Sequence, residues 1–211
     1  MPGVTISAGY GAGGSVVAPR LAERLGLPLL DRAISSQVAA QLQVTVEEAE
    51  CGTVKRSLVE RFFGVLAPMA GGVVGIGTDA VPDAPLAMDD AAEFRERAEA
   101  IMRRTLDDTG AVILGRAGAA ALHDRADVLR VRLFGPKDAR IAQAARLQHV
   151  DEQTAAQRLP EVDQARAQYV RRLYGRDIDD PLLYHLHVQT TALPLDACVD
   201  LIANAYAAFR P

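Results

Sequence analysis

Tryptophan is absent from this chain, and among its 211 residues cysteine occurs only twice. Two cysteines over that length cannot build a disulfide framework. Neither Cys51 nor Cys198 lies in a thiol-activating motif, so a reducing compartment is expected. Surplus positive charge is lacking as well: the formal net charge is −4, which argues against a protein held to nucleic acid by phosphate neutralisation. The uncharged stretch Phe62–Thr78 has 17 residues, is interrupted by glycines and a proline, and falls short of the roughly 20 apolar residues of a membrane-spanning helix. The first seven residues carry neither the basic start nor the apolar run of a signal peptide. The expectation is a soluble, cytoplasmic protein with no nucleic-acid or membrane partner. Lysine is scarce too. Of 23 basic residues only Lys55 and Lys137 are lysines, so a phosphate site in this chain must draw on arginine.

What is present is an apolar fraction of 49%, enough for one domain with a real core. Val4–Ser7 reads as a strand, followed by a glycine-rich turn and a helix over Gly14–Leu25, with Val17, Leu21 and Leu25 on one face. Gly26 and Pro28 stop that helix, and Leu27–Leu30 forms a second strand, which makes a parallel pair. Residues 32–66 read as helices broken near Cys51-Gly52, and 67–88 as a glycine- and proline-rich loop. A helix over 89–107 precedes the buried strand Ala111–Leu114. Val128–Phe134 is a further strand in which Arg130 and Arg132 alternate with apolar residues. Helices follow from Pro136 to His149 and from Glu152 to Tyr174, the latter broken at Pro160. Tyr184–Gln189 completes five strands, and a helix over 196–209 ends the chain. Such alternation implies an α/β fold with an open, five-stranded parallel sheet, whose ligands sit at the carboxyl ends of the strands.

The turn after the first strand, Ala8-Gly9-Tyr10-Gly11-Ala12-Gly13-Gly14-Ser15, leads directly into a helix. Glycines let backbone amides converge on a phosphate, and the helix N-terminus adds partial positive charge. Compared with the G-x-x-x-x-G-K-[ST] loop, Ala8 replaces the first glycine and Gly14 replaces the lysine. Between 137 and 176 there are eight basic residues against five acids, so this stretch is net positive within an acidic chain. It is either a salt-bridged exposed helix pair or a cover over phosphates. His185 and His187 have no third ligand at matching spacing and are read as strand histidines.

Ser7–Gly14, Leu30-Asp31, Ile113-Leu114-Gly115-Arg116, Asp163-Gln164-Ala165-Arg166 and Tyr184…Gln189-Thr190, in that order, resemble the cytidylate kinase-like proteins, relatives of bacterial cytidylate kinase. The resemblance covers about residues 4 to 207, with 53–88 matching poorly. It implies a P-loop NTPase-type three-layer fold with a core (1–31, 110–150, 182–211), a monophosphate-binding insertion (about 32–109) and an arginine-rich lid (about 150–181). Members of that branch also tend to have glycine in place of the loop lysine, although they often carry charges near Ala8-Gly9.

The resemblance further implies ATP and Mg²⁺ on Gly11, Ala12, Gly13, Gly14 and Ser15, with the Ser15 hydroxyl on the metal or serving as a helix cap. Arg140, Arg146 and Arg166 would neutralise the transferring phosphoryl group, while Asp31, Arg32, Arg116 and Asp163 would hold the acceptor. Asp31 is also a candidate helix cap, and Arg116 also a candidate structural ion pair. Leu114 and Ala117 replace two acids found in cytidylate kinase. Two functions follow: ATP-dependent phosphoryl transfer to a nucleoside monophosphate, CMP foremost, or nucleotide binding without turnover. The 67–88 segment is a candidate flap or homodimer contact.

Overall fold

The computed structural model describes residues 3–31 and 88–209. The helices expected over 32–66, nearly all of the loop expected over 67–88, and Arg32, Cys51 and Lys55 lie outside the described residues. Strand β1 (Gly3–Ala8), helix α1 (Gly14–Leu25) and strand β2 (Leu29–Leu30) come first. They are followed by α2 (Met88–Thr109), β3 (Val112–Leu114), α3 (Gly118–Ala121), β4 (Val128–Phe134), α4 (Lys137–Gln148) and α5 (Glu152–Tyr174). A 3-10 turn over Pro181–Leu183 leads to β5 (Leu186–Gln189), and α6 (Leu195–Ala208) closes the chain.

All strand pairings are parallel and the order is β2-β3-β1-β4-β5. Alternation along the strands divides the core between two faces. Val4, Ile6, Leu129, Val131 and Leu133 pack with Val17 and Leu21 of α1 and Cys198 and Ile202 of α6. On the other face, Ile113 and Val128 meet Met102 and Leu106 of α2, while Ala119 and Ala120 of α3 cluster with Val170 of α5 and Tyr184. This is an α/β/α sandwich. With β1 central and the chain turning to β3 on one side and β4 on the other, the crevice after β1 is a switch point, where open α/β sheets bind ligands.

Four local differences from the sequence reading have physical causes. The strand expected from Leu27 begins only at Leu29, because the Leu27 N–H closes α1 by bonding the Ala22 carbonyl at 3.0 Å while Gly26 takes φ +64°. Pro160 does not break α5: it is exposed, so water can reach the backbone carbonyl that its missing N–H leaves unbonded. Tyr184 lies outside β5 and turns its hydroxyl to the Ile178 carbonyl at 2.8 Å. Lastly, Gly115, Arg116 and Ala117 all have positive φ, a left-handed turn that starts α3. Gly115 suits that region, but nothing in the side chains of Arg116 and Ala117 foretells it, since among residues only glycine favours it.

Candidate functional site

Gly11 and Gly13 take φ +70° and +73°, which a side chain at either position would oppose. Gly13 is the N-cap of α1 and makes no side-chain cap, so Gly14 and Ser15 head the helix where it has no acceptors of its own. Ser15 is exposed and Gly14 buried.

The loop is shaped by side chains from elsewhere in the fold. Arg166 Nη1 donates to the Ala8 carbonyl at 2.8 Å, Arg140 Nη1 to the Tyr10 carbonyl at 3.0 Å, Gln143 Nε2 to Gly11 at 2.9 Å, and Thr190 Oγ1 to Ala12 at 2.8 Å. Asp163 accepts the Tyr10 N–H at 2.8 Å through Oδ1 and Arg140 Nη1 at 2.7 Å through Oδ2. A Cβ at Gly9 would stand 2.7 Å from Arg140 Nη1, so glycine there is the condition for this arginine's approach. Tyr10 buries its ring among Ala144, Ala155, Leu159 and Val162 of the α4–α5 hairpin and donates its hydroxyl to Gln148 at 2.7 Å.

Beside Ala8 and Gly9 opens a cleft of about 320 Å³, bounded by Arg140, Asp163 and Arg166 and floored by the β4 residues Arg132 and Phe134. Arg132 is fixed by donating to Ser7 Oγ and to Asp179 Oδ1, each at 2.8 Å. Tyr184 also lines the cleft. Burial raises its hydroxyl's pKa, while Arg132 and Ser7 pull it the other way, so the phenol is a neutral donor at ordinary pH.

Of the residues expected in the site, Arg140, Asp163 and Arg166 come together at the loop. Arg146 instead lines a separate open depression of about 550 Å³ with Thr191 and Glu152. Arg116 and Asp31 meet each other at the ends of β3 and β2, where Arg116 Nε donates to the Asp31 carbonyl at 2.9 Å. Burial lowers the Arg116 pKa, and Tyr169 and Asp31 raise it. Neither residue lines the 320 Å³ cleft. Among the described residues no group of three His, Cys, Asp or Glu could hold a metal ion. His185 faces Phe209 and accepts the Arg130 N–H through Nδ1, whereas His187 lines the cleft, so the two do not converge. Tyr10 and Thr190 stand in the sequence motifs without a role assigned to them, and Arg132 and Gln143 are absent from the residues expected in the site. A usable signal existed for Arg132, an arginine on the partly buried side of an apolar strand.

A central parallel strand, a glycine-rich turn into a helix, and arginines converging on that turn define an α/β protein of the phosphate-binding-loop kind. The model of the cytidylate kinase-like family matches residues 3–192, and the chain belongs to that family. Among solved structures, an uncharacterized protein from Eubacterium ventriosum is similar at 20% identity, with 97% of each chain covered and a TM-score of 0.65, which shows a shared fold. Looser likenesses are shikimate kinase from Acinetobacter baumannii (15% identity, 99% of this chain and 94% of that one, TM-score 0.48) and a gluconokinase from Sinorhizobium meliloti (17%, 98% and 92%, 0.49). No curated protein matches. Among the described residues no helix is long and apolar enough to cross a membrane.

Proposed function

We propose that this protein transfers the γ-phosphoryl group of ATP to a nucleoside monophosphate, with CMP as the first acceptor to test. The observation that carries the reading is the convergence of Arg140 and Arg166 on the glycine-rich loop, at 2.7–3.0 Å from its carbonyls and from Asp163. Phosphoryl transfer asks for positioning and positive charge more than for covalent chemistry. Two guanidiniums at the Ala8 and Tyr10 carbonyls would supply positive charge to a loop that has no lysine, and their planar forks suit phosphate oxygens. The donor phosphates would lie on Gly11–Ser15. The acceptor's phosphate oxygen attacks the γ-phosphorus as the bond to the β-phosphate oxygen breaks, and ADP leaves.

In the same proposal, Asp31, Arg32, Arg116 and Asp163 hold the acceptor, while Arg146, expected to neutralise the transferring group, stands in a separate depression and is given no part in the transfer. The segment of about 150–181 acts as lid and the insertion of about 32–109 as the acceptor lobe. The exposed Ser15 hydroxyl at the head of α1 suits one ligand position of Mg²⁺, which otherwise takes phosphate and water oxygens. Bound there, Mg²⁺ would offset charge on the phosphates. The reading includes a cytoplasmic location.

One observation favours nucleotide binding without turnover: Gly14 stands in the place of the lysine, and a Cβ on it would lie 2.7 Å from the Ala8 Cβ. Calorimetric titration with ATP and with CMP, each with Mg²⁺, followed by assay for ADP and CDP, separates the two. Binding with both products supports the kinase, and binding without product supports the silent form. Failure of both ligands to bind removes the site assignment.

A further inference from the structure

We propose that Asp163 is an internal stand-in for the bound anion: its carboxylate engages Arg140 and the Tyr10 N–H until an incoming phosphate chain displaces it. The inference rests on the phosphate assignment above and adds an autoinhibitory contact to it.

The contact has the form of anion binding. Asp163 Oδ1 accepts the Tyr10 N–H at 2.8 Å, and Oδ2 accepts Arg140 Nη1 at 2.7 Å. A backbone amide in a glycine-rich turn and a guanidinium are donors that phosphate oxygens also take. Tyr10 directly precedes Gly11, where the phosphates begin in the assignment above. A carboxylate at that place repels phosphate as long as it stays.

Arg140 cannot serve Asp163 and a phosphate fully at once. Its Nε donates to the Gly135 carbonyl at 3.0 Å, and Nη1 is shared between the Tyr10 carbonyl at 3.0 Å and Asp163. A guanidinium grips phosphate through two adjacent nitrogens, either Nε with Nη2 or Nη1 with Nη2. Each of those pairs has one member engaged, so a two-pronged grip needs a release. The Gly135 carbonyl is backbone at the end of β4, part of the frame. Asp163 is a side chain, 31% exposed against 13% for Arg140, and solutes can reach it. It also stands three residues past Pro160 in α5, where proline leaves the helix one hydrogen bond short. Helices bend most readily at such a turn, and a small shift of α5 takes the carboxylate off the loop. Once displaced, Asp163 is at liberty to take the acceptor role given to it above.

The test titrates inorganic triphosphate, without Mg²⁺, into the full chain and into its Asp163→Asn, Arg140→Gln and doubly substituted forms. Triphosphate has neither base nor sugar, so it reads the loop and its arginines alone. Asparagine at 163 keeps the shape and an acceptor for the Tyr10 N–H but not the charge. It should tighten triphosphate about tenfold, the low end of what a hydrogen bond to a charged group is worth. In the Arg140→Gln background the same substitution should gain much less, because the arginine it releases is gone. Equal affinity of wild type and Asp163→Asn, with triphosphate bound by both, overturns the stand-in and leaves the phosphate assignment standing. An equal gain in both backgrounds also overturns it, since plain charge repulsion is then the whole effect. No binding by any of the four proteins removes the phosphate assignment and this inference with it. A measurement that needs no variant is the crystal structure of the wild-type chain with triphosphate, in which the contact between Asp163 and Arg140 should be broken. A contact kept at 2.7 Å beside bound triphosphate overturns the proposal.

Discussion

Gly14 occupies the position where phosphate-binding loops carry lysine, and its surroundings explain why no side chain is there. A Cβ on Gly14 would stand 2.7 Å from the Cβ of Ala8 and 3.3 Å from Leu114 Cδ1, both buried in the main core. Replacing Gly14 with alanine gains about 0.5–1 kcal/mol from the restricted backbone but overpacks the core at about 1–3 kcal/mol. The expected net loss is about 1–2 kcal/mol. Ala8→Gly alone removes a buried methyl, about 0.8 kcal/mol, and frees the backbone, for about 1.5 kcal/mol in all. If the two sites were independent, the pair would lose about 3 kcal/mol; with the clash removed, Ala8→Gly/Gly14→Ala should lose only about 1. Urea unfolding of the four proteins at a common m-value measures the coupling. A Gly14→Ala protein at least as stable as its parent, or losses that simply add, would refute the argument. The same logic says that lysine at 14 is tolerated only together with glycine at 8, so the two departures from the usual loop form one compensated change.

Other outcomes follow from the same geometry. Arg166→Ala should weaken nucleotide binding tenfold or more, since a hydrogen bond to a charged group is worth about 1.5–3 kcal/mol, and should also cost about 1–2 kcal/mol of stability because the Ala8 carbonyl loses its partner. A large stability loss with unaltered affinity would make Arg166 structural. Asp163→Asn keeps an acceptor for the Tyr10 N–H but unpairs Arg140, whose side chain is only 13% exposed against 31% for Asp163. Denaturant titration should show a loss of about 1–3 kcal/mol, below the value for a fully buried pair because solvent reaches the carboxylate. His185 has a lowered pKa, first from burial and then from Arg130. The unfolded chain therefore takes up the proton more readily, and stability falls as pH drops through the ordinary histidine value of about 6.5 toward the lower folded one. His185→Gln should flatten that fall between pH 7.5 and 5.5; an unchanged slope counts against it.

The frame of the fold is legible in residues whose pattern has a single physical reading. Ala111–Leu114 is continuously apolar because it is buried on both faces, and Val128–Phe134 alternates because one of its sides carries Arg130 and Arg132. Gly26 announces the end of α1. Pro160 misleads because proline breaks a helix only where the lost hydrogen bond cannot be replaced, and exposure is invisible in sequence. The site was legible in part: Asp163 and Arg166, three apart on one helix, do reach the loop together. Which groups they meet was not, because Tyr10 N–H and the Ala8 carbonyl are backbone atoms that every residue possesses. Tyr10 was hidden for a related reason, since a tyrosine between glycines gives no sign that a distant helical hairpin will enclose it.

The residues that hold the loop have a bearing on how the protein comes into being. Arg140, Gln143, Asp163, Arg166 and Thr190 stand 130 to 178 positions downstream of the backbone groups they hold. Contacts so far apart in sequence must wait until residues as far as Thr190 are made, and they slow folding because large loops must close first. On the ribosome, β1 and α1 emerge well before the residues that hold the turn between them. A nucleotide cannot act as a template for early folding here, and it can stabilise the loop only once the chain as far as Thr190 has been made. A chain stopped short of Thr190 would therefore keep the whole glycine-rich sequence and still lack its fixed shape.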